Sequence, residues 1–439
     1  MARPPTAATI YALATPMGKA GVAMVRVSGP HAASVCDFLG NPCPPARQAR
    51  LATLRHDGRV LDRALMLFFA GPHSFTGDDV LELHLHGSSA VVRAVLGALA
   101  HCDGLRLAEP GEFTRRAFLN NKIDLTQAEG LADLIDAETT AQHAQAMRQF
   151  GGETSARIAA LRERILTPLA LLEAYIDFPD EDIPDAVLAE TTADVRALEA
   201  ELAALLDDGG IGEKIRDGFE IVITGPPNAG KSSLINALAK RDVAIVSEHA
   251  GTTRDLIEVH LELAGYPVTL VDTAGLREVA EHAIEAEGIR RARARAAQAD
   301  FTLLLLDGRT AAQEIAGVPP WEANGLLVLT KSDIAGPPTL AGLAISTKTG
   351  DGLPELIAAL EALVNQRMAD RPAPLITRAR HREAMGDARA LLNGWSLDRP
   401  LELACESLRA AATALGKITG KIWVDDVLDL VFRRFCIGK

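Results

Sequence analysis

The stretch Phe219-Glu-Ile-Val-Ile-Thr-Gly-Pro-Pro-Asn-Ala-Gly-Lys-Ser-Ser233 decides the fold of this chain. Its apolar part, 219–224, is a predicted strand that runs into Gly225-x-x-x-x-Gly230-Lys231-Ser232 and then into a predicted helix over 233–240. This order is typical of a P-loop, in which backbone N–H groups and a helix N-terminus surround phosphate oxygens. We expect Lys231 to reach the β- and γ-phosphates of a nucleotide and Ser232 to bind Mg²⁺.

Further residues are predicted at the metal ion and the γ-phosphate. Thr253 lies in a switch-type loop, 250–255, and is the expected second hydroxyl ligand of Mg²⁺. Asp272 ends a predicted strand, 268–271, and is expected to bind Mg²⁺ through water, while the Gly275 N–H faces the γ-phosphate. These positions predict a nucleotide site that responds to the γ-phosphate.

The guanine end of the site is predicted from two later strands. Asp333 follows the strand 326–329, and its carboxylate matches two donor groups on the guanine edge that adenine does not offer. Ser346 follows the strand 343–345, where backbone N–H groups can meet the guanine O6. We therefore expect a doubly wound parallel sheet over 217–366 with GTP at the strand carboxyl ends. The predicted GTP-binding residues are Asn228, Ala229, Gly230, Lys231, Ser232, Ser233, Ser247, Glu248, His249, Ala250, Gly251, Thr252, Thr253, Asp272, Thr273, Ala274, Gly275, Thr330, Lys331, Asp333, Ser346, Thr347 and Lys348.

The residue that orients the attacking water is not obvious. Leu276 stands where Ras-like GTPases carry a glutamine, and an apolar side chain cannot hold water. Arg254 and Arg277 are each either an arginine finger or a surface charge. The candidates for the water-orienting residue are acidic, although a solvated helix face also explains most of them: Glu278, Glu281, Glu285 and Glu287.

The remaining chain divides into an α+β block, 1–120, a helical stretch, 121–216, and closing helices, 367–439. In the first block, Arg26 sits inside an apolar strand and Glu82 on the polar face of an alternating strand. Taken alone, this pattern favours an internal ion pair, because a buried arginine needs an anionic or carbonyl partner.

Two histidines of the first block and two basic runs could each have a binding role or none. His84 and His86 share a strand face, where two histidines are more often ordinary polar residues than metal ligands. The basic head of the predicted helix 376–392 and the run 290–295 could each contact RNA phosphates or form a solvated helix face.

Composition limits the class of protein. The 439 residues suggest about two or three domains, and no apolar run approaches the roughly 20 residues of a spanning helix. Five scattered cysteines without CxxC spacing indicate a reducing compartment. A net charge of −13 argues against a nonspecific nucleic-acid binder, so any RNA partner must meet local basic patches.

Several motifs together resemble the MnmE (TrmE) family of tRNA-modification GTPases. They occur in the family's order and cover nearly the whole chain. They are Ala14-Thr-Pro16, Arg26-Val-Ser-Gly29, Pro110-Gly-Glu-Phe-Thr114, Ala117-Phe-Leu-Asn120, Lys122-Ile-Asp-Leu-Thr-Gln-Ala-Glu129, Tyr175-Ile-Asp-Phe-Pro179, Gly225–Ser233, Gly251-Thr-Thr-Arg-Asp255, Asp272-Thr-Ala-Gly-Leu-Arg-Glu278 and Cys436-Ile-Gly-Lys439.

The resemblance implies a homodimer with a folate-binding N-terminal domain and a helical domain into which the GTPase domain is inserted. With an FAD-dependent partner (MnmG/GidA) in a heterotetramer, the family adds an aminomethyl or carboxymethylaminomethyl group to C5 of the tRNA wobble uridine. A 5-formyl- or methylene-tetrahydrofolate supplies the carbon. The matching folate positions are Arg26, Glu82, Lys122 and Lys439.

The resemblance also implies activation by K⁺ and by dimerisation of the GTPase domains instead of an external arginine. Matching K⁺ positions are Asn228, Ser247, His249 and Thr252. The family's water-orienting glutamate matches Glu285, which with Lys231 and the terminal Cys436 completes the expected catalytic set.

Three positions depart from the family pattern. Thr330 replaces the usual asparagine of the guanine motif, so we expect some bracing of the P-loop to be lost and nucleotide affinity to fall. His249 replaces an apolar residue, but the K⁺ contact there needs only a backbone carbonyl. Thr347 replaces alanine, which is a mild change.

The resulting prediction is a GTPase that acts in tRNA wobble-uridine modification in a bacterial cytoplasm, without membrane contact. Because the N-terminal motif begins by residue 9, we expect no mitochondrial presequence. Two alternatives remain: a switch GTPase that acts by docking, for instance in ribosome assembly, and a stand-alone folate-dependent methyltransferase with a regulatory GTPase domain.

Overall fold

The computed structural model describes two compact units. The first contains the described parts of Met1–Ala132, Gln149–Thr167 and Ala412–Lys439, and the second those of Asp133–Arg148 and Pro168–Ala411. The described residues are 8–177, 184–241, 243–245, 258–272, 299–315, 325–338, 340–369, 373–421, 428, 431–432, 435 and 438.

The first unit is built on a mixed sheet with the strand order β3-β4-β5-β2-β1-β6. Its strands are β1 Thr9–Leu13, β2 Ala20–Ser28, β3 Arg50–His56, β4 Arg59–Phe69, β5 Val80–Gly87 and β6 Leu105–Leu107. The predicted alternation of β5 is confirmed, because Leu81, Leu83 and Leu85 are buried in a core against helices α1 (Ser34–Phe38) and α2 (Ser89–Leu99). The opposite face of the sheet therefore carries the polar side chains of β2 and β5.

Helices make up most of the chain between and after the two sheets. Their bounds are α3 Glu112–Leu119, α4 Leu125–Asp136, α5 Thr140–Phe150, α6 Glu153–Asp177, α7 Asp185–Leu206, α8 Ile211–Asp217, α12 Ala379–Asn393 and α13 Leu401–Thr419. The expected long helices at 153–175, 188–206, 376–392 and 401–415 are confirmed within a few residues. Of the helix expected over 423–435, most residues lie outside those that the structure describes.

The second unit contains the predicted doubly wound sheet, in the order β12-β11-β10-β7-β9-β8. Its strands are β7 Phe219–Thr224, β8 Glu258–Leu263, β9 Tyr266–Asp272, β10 Phe301–Asp307, β11 Gly325–Thr330 and β12 Leu343–Ala344, with helices α9 Lys231–Leu238, α10 Ala311–Glu314 and α11 Leu353–Met368. All neighbouring strands are parallel except the β8–β9 hairpin. The carboxyl ends of β7, β9, β10, β11 and β12 consequently share one edge, where a ligand is expected.

The basic head of α12 is held by carboxylates of the second unit. Arg378 donates to Asp133 at 2.6 Å, and Arg382 donates to Asp208 at 2.7 Å and to Glu213 at 2.8 Å. Within the described part of the chain, these two arginines therefore act in ion pairs. The second basic run, 290–295, lies outside the described residues.

Candidate nucleotide-binding site

The backbone of the P-loop adopts a conformation that glycine makes possible. Gly225 has φ +143°, and a Cβ there would lie 2.1 Å from the Leu305 carbonyl oxygen, so any side chain would clash with β10. Gly230, with φ +96°, precedes the first residue of α9. Because L-residues rarely adopt these angles, the sequence pattern fixes the loop that turns the helix N-terminus toward the strand edge.

Lys231 is the first residue of α9 and is only 7% exposed. Its ammonium donates to the carbonyl oxygens of Gly225 at 3.0 Å and Pro226 at 2.8 Å, so it lies inside the loop. A buried cation next to backbone amides and a helix N-terminus is suited to phosphate oxygens, which carry the opposite charge.

The two predicted Mg²⁺ positions that the structure describes are in contact. The Ser232 hydroxyl donates to Asp272 Oδ2 at 3.0 Å, and Asp272, at the end of β9, is fully buried. A hydroxyl and a carboxylate oxygen at this separation fit a hard, oxygen-seeking cation such as Mg²⁺. The geometry is consistent with one direct and one water-mediated ligand.

Thr330 contacts the P-loop through its hydroxyl, and the expected loss of part of the bracing stays a prediction. Its hydroxyl lies 2.7 Å from the carbonyl oxygen of Ala229, to which it donates, and 3.2 Å from that of Leu306. One hydroxyl proton serves one carbonyl at a time, whereas an asparagine amide offers two donors. Threonine at this position therefore preserves a direct link between β11 and the P-loop.

We expect Thr330→Ala to weaken GDP binding by about 10-fold, because a buried carbonyl left without its donor costs about 1–3 kcal/mol. Thr330→Ser retains the hydroxyl and should bind GDP nearly as well as the original chain. Isothermal titration measures both, with Thr192→Ala in α7 as a control that loses a local hydroxyl bond to the Leu188 carbonyl. Equal GDP affinity in Thr330→Ala and the original chain would contradict the bracing role.

The guanine end of the site is organised by a side chain as well as by the backbone. The Ser346 hydroxyl donates to Asp333 Oδ1 at 2.8 Å, and Ser346 itself is fully buried. The Lys348 backbone N–H donates to the same hydroxyl oxygen at 3.3 Å. The hydroxyl thus orients the exposed Asp333 carboxylate, and Thr347 lies in the same turn.

Asp307 and Arg309 were not predicted from the sequence. Asp307 ends β10 and accepts from Arg309 at 2.6 Å and from Lys331 at 2.9 Å, while Lys331 also donates to the Asn228 carbonyl at 3.0 Å. The Arg309 guanidinium, with Lys331, holds the pKa of Asp307 well below its usual range. Asp307 therefore positions the lysine of the guanine motif against the P-loop; its position at a strand carboxyl end was the available signal.

Most switch-loop and tail predictions lie outside the described residues. These are Ser247, Glu248, His249, Ala250, Gly251, Thr252, Thr253, Thr273, Ala274, Gly275, Glu285, Cys436 and Lys439. Of the predicted K⁺ positions the structure describes Asn228, which has φ +64° in the P-loop. Ser233 lies on α9, next to Ser232.

In the first unit, the expected pairing of Arg26 with Glu82 is observed. The two residues are directly opposite each other on β2 and β5, and the guanidinium donates to Glu82 Oε1 through Nε at 3.1 Å and Nη2 at 2.9 Å. The guanidinium carbon lies 5.7 Å from the ring centre of Phe75 and 5.9 Å from that of Phe113. A charged pair bordered by aromatic rings suits a flat, polar ligand.

The other polar side chains near this face have partners of their own. His84 Nε2 lies 3.4 Å from Glu82, and His86 Nδ1 lies 2.7 Å from Asp62. No group of three potential ligands for a metal ion occurs in the part of the chain that the structure describes. Lys122 is exposed, and its ammonium donates to the Pro72 carbonyl at 2.9 Å.

No helix among the described residues combines the length and apolar character needed to cross a membrane.

Two family models and many known proteins match this chain over nearly its whole length. A family model described as "GTP-binding protein TrmE N-terminus" matches residues 9–122, and one described as "MnmE helical domain" matches residues 125–436. The tRNA modification GTPase MnmE of Parvibaculum lavamentivorans is 51% identical, over 98% of this chain and all of that protein. Those of Rhodospirillum rubrum and Paramagnetospirillum magneticum are each 49% identical, over 99% and 98% of this chain and 100% and 99% of those proteins.

The matches extend through both sheets and through the helices between them. Together with the P-loop and the guanine motif at one sheet edge, they identify the chain as a member of the MnmE (TrmE) family of tRNA modification GTPases.

Proposed function

We propose that this chain is a K⁺-activated GTPase that, with an FAD-dependent MnmG/GidA-type partner, modifies C5 of the wobble uridine of certain tRNAs with an aminomethyl or carboxymethylaminomethyl group. A 5-formyl- or 5,10-methylene-tetrahydrofolate supplies the carbon. The observation that carries the proposal is full-length similarity to MnmE proteins in a chain whose P-loop, Mg²⁺ and guanine residues lie together at one sheet edge. GTP is hydrolysed there to GDP and phosphate.

A monovalent cation fits the chemistry of this site. Leu276 cannot orient water, and no arginine finger is assigned, so another positive charge must stabilise the transition state. K⁺ bound by Asn228, Ser247, His249 and Thr252 would supply that charge when two GTPase domains associate. The position of Asn228 in the P-loop, three residues before Lys231, supports this role.

Glu285 is proposed to orient the attacking water. We expect Glu285→Ala to leave GTP affinity unchanged and to slow K⁺-stimulated hydrolysis about 10²–10³-fold, the usual contribution of a general base or water-orienting group. Single-turnover hydrolysis and nucleotide titration separate the two effects. Glu281→Ala is the matched control, because it removes the same charge four residues earlier in the chain and should not affect turnover if Glu285 orients the water. Unchanged turnover in Glu285→Ala would remove this residue from the mechanism.

The paired Arg26 and Glu82 are proposed to bind the folate, with Lys122 and Lys439 as further contacts. The guanidinium is 18% and the carboxylate 14% exposed, so both retain access to a ligand. A pterin offers donor and acceptor groups to such a pair, and the half-buried Phe75 ring borders it, whereas Phe113 is fully buried.

We expect Arg26→Lys to weaken binding of 5-formyl-tetrahydrofolate to the full chain by about 10-fold, since lysine keeps the charge but not the planar fork. The control is Arg106→Lys, which changes an ion pair with Glu112 on the same domain. Calorimetric titration measures both. A full chain that binds no folate would instead favour the docking-switch alternative, which has no use for this site.

The remaining assignments complete the proposal. The chain acts as a homodimer in a heterotetramer with its flavin partner in the bacterial cytoplasm. Cys436 is proposed as a functional thiol of the catalytic set. The domains are proposed at 1–120, 121–216, 217–366 and 367–439. A stand-alone folate-dependent methyltransferase would produce modified tRNA without the flavin partner, so omission of that partner in a reconstituted reaction distinguishes the two functions.

A further inference from the structure

One β-hairpin of the first unit carries a dense set of positive charges. Residues 47–63, here called the arginine hairpin, contain five arginines and two aspartates in a chain whose net charge is −13. Each of the five is exposed: Arg47, Arg50, Arg55, Arg59 and Arg63. The local excess of positive charge therefore opposes the charge of the whole molecule.

The two aspartates of the arginine hairpin each lie next to a histidine. Asp62 accepts from the His86 backbone N–H at 2.8 Å and lies 2.7 Å from the His86 ring nitrogen. Burial alone would raise the pKa of Asp62, but the hydrogen bonds from His86 lower it below its ordinary value. Asp57 lies 3.4 Å from His56. Neither carboxylate neutralises a guanidinium of the hairpin.

The guanidinium groups themselves have no acidic partner within the described residues. Arg47 donates to the His73 carbonyl at 2.9 Å, and Arg50 to the Pro42 carbonyl at 3.5 Å. None of the five forms an ion pair with a described carboxylate. By contrast, Arg378 and Arg382 at the head of α12, which the sequence also suggested for RNA contact, are each paired. The hairpin keeps its charge available to an external anion.

Protection of a sheet edge is the alternative explanation of this set. Charged side chains often line edge strands, where they prevent pairing with other chains. Arg50 and Arg55 lie on the edge strand β3, and Arg59 and Arg63 lie in the part of β4 that pairs with β3 before the pairing with β5 begins at Leu65. Edge protection alone predicts that these arginines contribute nothing to RNA affinity, so the salt dependence of RNA binding distinguishes the two explanations.

The hairpin also holds its arginines in a fixed arrangement. His56 pairs with Arg59 across a two-residue turn in which Asp57 has φ +48° and Gly58 has φ +74°. A two-residue turn with positive φ at both central residues has a twist that matches that of the flanking strands. Strand β3, with seven residues, is about 20 Å long at 3.3 Å per residue, enough to meet several phosphates.

We propose that the arginine hairpin binds the phosphodiester backbone of tRNA. Guanidinium groups match phosphate oxygens bidentately, and such contacts position an RNA without reading its sequence. The inference rests on the proposed function, since it names the surface by which the chain holds the RNA that it modifies. The GTPase site of the second unit takes no part in this contact.

The test compares two triple variants of the full chain. Arg55→Gln/Arg59→Gln/Arg63→Gln removes three charges from the hairpin, and the control Arg93→Gln/Arg196→Gln/Arg367→Gln removes three exposed arginines elsewhere. Affinity for bulk tRNA is measured by filter binding over a range of KCl concentrations. Each lost phosphate contact should reduce the slope of log K against log[KCl] by about 0.7–0.9. The hairpin variant should therefore lose about two units of slope and bind at least about 10-fold more weakly at 0.1 M KCl.

The corresponding lysine variant, Arg55→Lys/Arg59→Lys/Arg63→Lys, should keep the slope of log K against log[KCl]. All variants should hydrolyse GTP at the rate of the original chain. An unchanged slope in the glutamine variant, or equal losses in the hairpin and control variants, would overturn the proposal. So would normal tRNA binding combined with lost capture of the flavin partner, which would make the surface a protein interface. If the original chain binds no tRNA, the hairpin proposal fails. The proposal of wobble-uridine modification can still hold, because nucleoside analysis of cellular tRNA tests it separately.

Discussion

Replacing Lys231 with alanine will reduce GTP hydrolysis by about 10³-fold or more, because it removes the buried cation that faces the β- and γ-phosphates. The ammonium is held inside the P-loop by the carbonyl oxygens of Gly225 and Pro226. The charge that develops on the transferred phosphoryl group would lose its most direct counter-charge. Single-turnover hydrolysis at saturating GTP is the appropriate measurement.

The matched control is Lys240→Ala, an exposed lysine two residues beyond the end of α9. It removes the same charge from the same segment of chain without touching the loop, so hydrolysis should remain within about twofold of the original rate. Hydrolysis by Lys231→Ala at the rate of this control would show that the P-loop is not the catalytic phosphate site.

Asp272→Asn should lower GTP hydrolysis by about 10²-fold and raise the Mg²⁺ concentration needed for half-maximal rate. Asparagine keeps the shape of the side chain and an acceptor for the Ser232 hydroxyl, but it removes the negative charge that stabilises the cation. Asp272 is fully buried at the end of β9, so the lost negative charge is not replaced by an exposed carboxylate. Rates measured across a Mg²⁺ titration separate a metal effect from a loss of nucleotide binding.

Asp300→Asn provides the control for burial. Asp300 is 6% exposed near the other end of β7, where it accepts from Lys214 at 2.8 Å and from the Glu220 N–H at 2.9 Å. Its substitution should lower thermal stability while leaving the Mg²⁺ requirement unchanged. If Asp272→Asn and Asp300→Asn show the same Mg²⁺ dependence, Asp272 is structural and not a metal-site residue.

Local sequence patterns predicted the elements whose conformation depends on consecutive residues. The strand 219–224 coincides with β7, and the glycines after it lie at backbone angles that only glycine adopts easily. The alternation of 80–85 located the buried and polar faces of β5, and with it the Arg26–Glu82 pair. These predictions succeeded because the signal and the structure depend on the same few consecutive residues.

Features that depend on distant residues were harder to predict. Asp307, Lys331 and Asn228 come together only when β10 and β11 pair beside the P-loop, and their spacing in the sequence does not predict that contact. The same reason applies to Thr330: comparison of side-chain types predicted a partial loss of bracing, and only the folded chain shows that the Thr330 hydroxyl reaches the Ala229 carbonyl at 2.7 Å. The ion pairs of Arg378 and Arg382 likewise depend on helices remote in sequence.

Nucleoside analysis of bulk tRNA by mass spectrometry shows whether GTP turnover by this chain drives wobble-uridine modification. Cells that lack the chain are compared with cells that re-express the original chain, Lys231→Ala or Lys240→Ala. We expect C5-aminomethyl-type uridines to disappear without the chain and to return with the original and Lys240→Ala forms, but not with Lys231→Ala. An unchanged nucleoside profile in cells that lack the chain, or full restoration by Lys231→Ala, would contradict it.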